Sequence, residues 1–193
     1  MIIGLTGGTG TGKSSACDFF RKRGYLIIDA DIVSREVCAK GEKCLEEIAD
    51  FFGNGILDKE GNLMRRALGD IVFNDKSKLE TLNQITHKHI KARIEEIILA
   101  NKDKNIVLDA PLLFEAGLDG ICDIKVCVLS DRLNRARRIM TRDGISETQA
   151  LARIDSQQHD DFYISRCQVV IYNNGDLDSL MMQMEKEFEN GSN

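Results

Sequence analysis

The sequence predicts a three-layer α/β fold, in which helices cover both faces of a parallel β-sheet. Short apolar runs alternate along the chain with segments of helical periodicity, and this alternation is the pattern of βα units. The runs are rich in β-branched residues, as buried parallel strands are. The predicted strands are Ile2–Thr6, Tyr25–Ile28, Ile106–Leu108, Ile124–Leu129 and Val169–Tyr172.

Apolar residues at helical spacing fill the segments between these strands. Ala16, Phe19 and Phe20 predict a first helix that ends at Gly24, a residue suited to a C-terminal cap. Two further stripes comprise Cys44, Leu45, Ile48, Phe51 and Phe52, and then Ile85, Ile90, Ile94, Ile97 and Ile98. Since no convincing strand lies between 31 and 104, we expect residues 32–104 to form a helical lobe. That lobe would interrupt a core made of residues 1–31 and 105–193.

The composition is that of an ordinary globular protein. The 193 residues carry a formal net charge of −5, with 42% hydrophobic and 30% charged residues. The negative charge argues against a general nucleic-acid or membrane-surface binder, because such proteins need a positive field. No apolar stretch approaches the ~20 residues of a membrane span, and the first residues lack the basic start of a signal peptide. We therefore expect a cytoplasmic protein whose six cysteines are buried, reduced thiols.

A phosphate-binding loop follows the first strand. The segment matches G-x-x-x-x-G-K-[ST] with Gly7, Gly8, Thr9, Gly10, Thr11, Gly12, Lys13 and Ser14. The glycines let the backbone curl so that N–H groups point at phosphate oxygens, and the N-terminus of the next helix adds its positive dipole end. Lys13 is predicted to bridge the β- and γ-phosphates of ATP, and the Ser14 hydroxyl to ligate Mg²⁺. The strand before the loop and the helix after it leave little room for a chance match.

Aspartates follow two of the predicted strands, at the edge where open α/β sheets bind ligands. Asp31 is the candidate general base of a P-loop kinase, because such an enzyme needs a carboxylate to orient and deprotonate the hydroxyl that accepts the phosphate. The alternative is that Asp31 caps the next helix. Asp29 is expected to be buried or near the metal. Asp109 would hold Mg²⁺ directly or through water, or else cap a turn.

Arginines cluster after the fourth strand. They are Arg132, Arg135, Arg137, Arg138, Arg142 and Arg153. Such a run is usually a solvated helix face, but in an acidic chain that carries a phosphate loop it favours a phosphate clamp. Arg138 and Arg142 stand one turn apart and could face one site from a mobile lid.

Basic residues also occur in the predicted lobe. Arg65 and Arg66, at a helix start, either bind phosphates of a second substrate or form a surface pair. His87 and His89 lie two residues apart, a spacing that does not suit joint metal ligation from one helix face. Lone histidines of this kind are more often structural.

In order along the chain, these segments resemble the dephospho-CoA kinase family. The resembling segments are Gly4–Ser14, Asp29-Ala30-Asp31, Arg65–Gly69, Ile85-Thr86-His87, Asp109–Glu115, Arg138, Arg142-Asp143, Arg153, Gln157, Val170-Ile171 and Asn173–Gly175. The D-A-D, R-R-A-L and D-x-P-L-L-F-E segments make this resemblance much more specific than the P-loop alone.

The resemblance implies transfer of the γ-phosphate of ATP, with Mg²⁺, to the 3′-hydroxyl of dephospho-CoA, the final step of coenzyme A biosynthesis. It implies a P-loop NTPase core, a CoA-binding lobe at 32–104 and a helical lid at about 138–165. Under it Asp31 is the base, and Lys13, Arg138 and Arg142 assist catalysis. The loop from Gly7 to Ser15 would bind ATP. The substrate-binding residues would be Thr6, Asp31, Arg65, Arg66 and His87.

The chain departs from the family pattern at a few positions. Lys88 replaces a proline, Cys167-Gln168 replaces A-D, and Asp160 and Tyr163 replace basic residues near the end of the lid. Lys88 puts the conformation of the loop that carries His87 in doubt. Asp160 and Tyr163 put the return contacts of the lid in doubt. None of them removes a residue that the chemistry needs.

Two other functions remain open from the sequence. The nearer is another small P-loop kinase, acting on a nucleoside monophosphate or a compact metabolite. The remoter is a GTP-dependent switch, but 101–104 misses N-K-x-D at its fourth residue, and the D-x-x-G match at 58–61 lies in a turn-rich segment. The sequence does not give the oligomeric state, and a monomer is expected.

Overall fold

The computed structural model describes residues 1–73 and 75–189, and its centre is a five-stranded sheet. The strands are β1 (Ile2–Thr6), β2 (Leu26–Asp29), β3 (Ile106–Asp109), β4 (Ile124–Leu129) and β5 (Val169–Tyr172), in the spatial order β2-β3-β1-β4-β5. β1 pairs in parallel with β3 and β4, and β4 pairs in parallel with β5. The five predicted strands are confirmed, with β2 shifted by one residue and β3 one residue longer. Because β1 lies in the middle, its carboxyl end is flanked by those of β3 and β4.

Helices complete a three-layer α/β arrangement. They are α1 (Lys13–Lys22), α2 (Ala30–Val37), α3 (Lys43–Phe52), α4 (Arg65–Val72), α5 (Lys76–Ala100), α6 (Arg132–Asp143), α7 (Glu147–Asp155), α8 (Asp160–Ile164) and α9 (Leu177–Glu189). Within the described ranges, none of these helices is both long enough and apolar enough to cross a membrane.

The end of α1 confirms the predicted cap at Gly24. This glycine has a φ of 81°, in the left-handed region that suits a residue without a side chain. Its N–H donates to the Arg21 carbonyl at 3.1 Å, and the N–H of Tyr25 donates to the Phe20 carbonyl at 3.2 Å. The rings of Phe20 and Tyr25 lie 5.2 Å apart. These are the two bonds and the apolar contact of a Schellman motif, which satisfies the last carbonyls of the helix.

A buried apolar cluster fixes the first strand and the first helix. Its members are Ile3, Leu5, Ala16, Cys17, Phe19, Phe20, Val107, Val126, Val128, Ile171, Leu180 and Met184. The α6–α7 hairpin has a small core of its own, made by Ala136, Ile139, Ala150 and Ile154. Because β1 and α1 are both anchored in the large cluster, the loop between them has fixed ends.

The chain divides into two compact units. The first contains Met1–Ile28, Asp103–Leu113 and the described chain from Leu118 onward, and the second contains Asp29–Lys102 and Phe114–Gly117. In the second unit α2, α3 and α4 pack against α5. Apart from Asp29 at the end of β2, the only strand pairing among the described residues of this unit is an isolated antiparallel bridge between Leu57 and Leu63.

The apolar stripes of the second unit are only partly buried. Ile90 and Ile94 of α5 are buried, as are Cys44, Leu45 and Ile48 of α3, whereas Phe51 is 55% exposed. All six cysteines of the chain are free thiols, four of them buried and two partly buried.

Candidate active site

The loop between β1 and α1 turns tightly at the carboxyl edge of the sheet. Gly7, Gly10 and Gly12 have φ values of 146°, 76° and 95°, which residues with side chains rarely adopt. Gly12 is the N-cap of α1, so no capping side chain covers the first N–H groups of the helix. The first N–H groups of α1 are therefore not satisfied by a capping side chain, which is the arrangement that binds anions at helix N-termini.

Gly12 is required for space as well as for its backbone conformation. A Cβ at this position would overlap the side-chain amide of Asn173. That amide donates to the Thr11 carbonyl at 2.8 Å and is buried. The packing of β5 against the loop therefore depends on the missing side chain.

The variant Gly12→Ala is expected to lower the free energy of unfolding by about 1–3 kcal/mol, because alanine would be strained in the left-handed region. Urea unfolding measures the change. Gly120→Ala is the matched control, since a Cβ there meets no atom within 4 Å and no left-handed φ is needed. A Gly12→Ala protein as stable as this control would contradict the packing described above.

Lys13 and Asp109 meet at the base of the loop. The ammonium of Lys13 is ion-paired with a carboxylate oxygen of Asp109, and each side chain is 16% exposed. The other oxygen of Asp109 accepts from the Cys17 thiol at 3.2 Å. Burial, together with the Asp109 carboxylate, raises the pKa of Cys17 to about 12, so the thiol keeps the proton that it donates. The carboxylate of Asp109 therefore accepts from Lys13 and Cys17 and does not act as a turn cap.

The donors at this point suit a hard divalent cation. Ser14, the second residue of α1, is exposed beside Lys13 and carries a hydroxyl. Hydroxyl and carboxylate oxygens are the protein ligands that Mg²⁺ prefers, usually with several waters retained. Ser14 and Asp109 therefore carry oxygen donors of the kind that magnesium prefers.

Arg138 supports the loop from outside. Its Nη1 donates to the carbonyls of Gly10 and Thr11 and to the Ser130 hydroxyl, each at 3.2 Å. Its Nη2 donates to the Asn173 carbonyl at 3.0 Å. Arg138 therefore lies at the loop, where its guanidinium binds backbone carbonyls. No pattern in the sequence predicted this supporting role.

Arg142, one turn further along α6, remains exposed and is held by a carboxylate. Its Nε donates to Asp143 at 2.7 Å, and Arg153 donates to the other oxygen of Asp143 at 2.5 Å. Nη2 of Arg142 lies 3.4 Å from the Thr9 hydroxyl. The Asp143 carboxylate raises the pKa of Arg142, and the two arginines lower that of Asp143. Arg142 is therefore a charged, accessible group next to the loop.

The paired aspartates at the start of α2 have different tasks. Asp29 is the N-cap, and its side chain accepts from the N–H groups of Asp31 and Ile32 at 2.8 and 3.0 Å. Asp31 does not cap the helix, which removes the structural alternative considered from the sequence. Its carboxylate lies exposed in the first turn of α2.

Two other parts of the second unit carry predicted site residues. Arg65 and Arg66 are exposed in the first turn of α4, whose N-cap Met64 provides no side-chain hydrogen bond. His87 lies partly buried on α5, and burial lowers its pKa, against a smaller opposing effect of Glu115. His87 is therefore neutral at neutral pH.

Thr6 and Ser15 take mainly structural positions. Thr6 is fully buried, and its hydroxyl donates to the Pro111 carbonyl at 3.2 Å. The N–H of Ser15 donates to the Gly12 carbonyl at 3.0 Å within the first turn of α1.

Several residues that shape the loop had no predicted contact with it. Ser130 and Asn173 are buried and bond to Arg138 or to the loop. Arg135 was noted only as one of a run of arginines, and Gln157 only as part of the family resemblance, yet both contact Thr9. A glutamine and an asparagine among polar segments give no local pattern that would reveal such contacts.

Comparison with known proteins gives a consistent result. The sequence model of the family described as dephospho-CoA kinase matches residues 1–179. A dephospho-CoA kinase of Fusobacterium nucleatum is 41% identical over 186 residues, which cover 96% of each chain. A crystal structure from Thermus thermophilus has a TM-score of 0.86 at 29% identity, covering 100% of this chain and 98% of the other. For a dephospho-CoA kinase from Campylobacter jejuni the TM-score is 0.72 at 27% identity, with 99% and 96% covered. The likeness extends over nearly the whole chain.

Proposed function

The chain belongs to the dephospho-CoA kinase family, and we propose roles for its residues in the phosphorylation of dephospho-CoA. The protein phosphorylates dephospho-CoA with ATP, in coenzyme A biosynthesis. The phosphate passes from ATP to the 3′-hydroxyl of the ribose, and the products are CoA and ADP. The family match over residues 1–179 carries this assignment, and the glycine loop with Lys13 and Asp109 at its base provides the chemistry.

ATP binds with its terminal phosphates in the loop from Gly7 to Ser15. The uncapped N-terminus of α1 offers N–H groups and the positive end of a helix dipole to these phosphates. Lys13 exchanges its ion pair with Asp109 for the β- and γ-phosphate oxygens. A magnesium ion held by Ser14 and by Asp109, directly or through water, would neutralise the charge that develops on the phosphates.

Asp31 is the proposed base. Its carboxylate is exposed and has no capping duty, so it is available to accept the proton of the acceptor hydroxyl. Its place in the first turn of α2 also puts a negative charge where the helix dipole favours one. Asp29 fixes the start of that turn through two hydrogen bonds, and so positions Asp31 without touching the substrate.

Arg65, Arg66 and His87 are proposed to bind the CoA substrate. Two arginines in the first turn of a helix are electrostatically unfavourable in the absence of an anion, and here the helix also lacks a side-chain cap. A phosphate would satisfy both the arginines and the N–H groups. His87, being neutral, would contribute a hydrogen bond rather than a charge.

The segment at about 138–165 is proposed as the lid. Arg142 is the residue in it best placed to meet the phosphates, because it is charged, exposed and already next to Thr9. Arg138 assists by holding the loop. All six cysteines are free thiols, which suits work in the reducing cytoplasm.

The assignment is tested by measuring ADP release with ATP and dephospho-CoA, and with AMP, CMP or shikimate as the acceptor. We expect dephospho-CoA to be phosphorylated with a kcat/KM at least about 10³-fold above the others, since loss of binding groups lowers transition-state binding. Mass measurement of the product identifies CoA. Comparable rates with AMP or CMP would instead indicate a nucleoside monophosphate kinase.

A further inference from the structure

Thr9, in the phosphate loop, is held by two side chains that follow β4. Gln157 Oε1 accepts the N–H of Thr9 at 2.9 Å, and Arg135 Nε donates to the Thr9 carbonyl at 2.9 Å. Arg135 Nη2 donates to the same Gln157 oxygen at 2.7 Å. We call this closed set of three hydrogen bonds the Thr9 clamp. It fixes the backbone N–H and the backbone carbonyl of one loop residue.

The guanidinium of Arg135 is a charged group in a buried position. The residue is only 6% exposed, and burial lowers its pKa because removal from water disfavours the charged form. A buried cation is retained where its donors are satisfied. Nε and Nη2 of Arg135 donate to the Thr9 carbonyl and to Gln157 Oε1, so the guanidinium binds the loop and the side chain that contacts it.

Two glycines of the loop, Gly8 and Gly10, lie against Arg135. Gly8 does not have a left-handed φ, so its turn does not demand glycine. A Cβ at Gly8 would overlap the Arg135 guanidinium and lie 2.8 Å from Gln157 Oε1. A Cβ at Gly10 would lie 2.8 Å from the Arg135 carbonyl oxygen. Two of the loop glycines thus leave room for Arg135, one beside its side chain and one beside its backbone.

We propose that Arg135 and Gln157 are positioning residues for ATP, which hold Thr9 so that the loop has its binding shape before the nucleotide arrives. They act through Thr9 and do not contact the reacting atoms. When a binding segment is ordered in advance, less conformational entropy is lost on binding. This inference rests on the proposed ATP site.

The clamp predicts an effect on affinity rather than on chemistry. Without it the loop must be ordered by the phosphates, so the Kd for Mg·ATP should rise about tenfold, the size expected for losing hydrogen bonds to a charged group. Once ATP is bound, the phosphates themselves hold the loop. At saturating ATP, kcat should therefore change less than about threefold, and the KM for dephospho-CoA should stay the same.

The experiment uses Arg135→Met, Gln157→Leu and the double variant, with Mg·ATP binding measured by calorimetry. Arg21→Met and Gln84→Leu are matched controls, because each removes the same kind of side chain from an exposed position outside the loop and the proposed lid. We expect each single variant to weaken ATP binding about tenfold and the double variant to weaken it no further, since both act through one residue. Gln157→Glu keeps the acceptor and should bind ATP within about threefold of the unaltered protein.

Three results would overturn the proposal: multiplicative losses in the double variant, equal losses of ATP and dephospho-CoA binding, or an unchanged Kd in Gln157→Leu. Gln157 is only half-buried in the turn after α7, so this variant decides the matter even if Arg135→Met does not fold. Failure of the ATP site itself would be distinct, because the unaltered protein would then not bind Mg·ATP.

Discussion

The variant Lys13→Ala is expected to lose at least about 10²–10³-fold in kcat, the scale seen when one preorganised donor to a developing anion is removed. Lys13 is the cation at the N-terminus of α1, and in the proposed reaction it bridges the β- and γ-phosphates as charge spreads over the moving group. No neighbouring lysine can replace it, since the next lysine of α1 is at its far end.

The fold of this variant should remain intact. Asp109 would lose its cation, but the Cys17 thiol still donates to it, and water can reach a side chain that is 16% exposed. Lys22→Ala is the matched control, because it removes the same charge from an exposed position in the last turn of α1. ADP release and urea unfolding are measured for both variants. Near-normal turnover in Lys13→Ala would exclude the phosphate loop from the mechanism.

Local features of the sequence predicted the core of the fold. Each predicted strand is a short apolar run that stops before a polar residue or a glycine. The end of α1 is set by Gly24 through hydrogen bonds that reach only a few residues. The phosphate loop is equally local, because three of its glycines occupy left-handed conformations between one strand and one helix. Such features can be predicted from neighbouring residues alone.

The supports of the loop could not be predicted in the same way. Arg138 and Asn173 bond to Thr11 across 127 and 162 residues of chain, and no periodicity connects positions so far apart. The sequence placed Arg135 in a run of arginines that favoured a phosphate clamp, yet its side chain is buried against the backbone of Thr9. Tertiary packing selected which of the clustered arginines face the loop, and the charge pattern alone does not distinguish them.

The aspartates of D-A-D show a related difficulty, because the sequence left a capping role open for Asp31 and placed Asp29 in the interior or near the metal. The structure gives the cap to Asp29 and leaves Asp31 exposed beside it. A chemical role for Asp31 is therefore separable from the capping role by mutation of each residue in turn.

The variant Asp31→Asn should lower kcat by about 10²–10⁴-fold, the usual contribution of a general base, with ATP binding kept. The amide has the shape of the carboxylate but cannot take the proton of the 3′-hydroxyl. Asp29→Asn is the informative partner, because asparagine caps helices about as well as aspartate and should leave kcat within about threefold. Single-turnover phosphorylation of dephospho-CoA separates this loss from product release. If Asp31→Asn lost less than about tenfold while Asp29→Asn lost more, the base would have to be Asp29, and its two bonds to the start of α2 would be incidental to the chemistry.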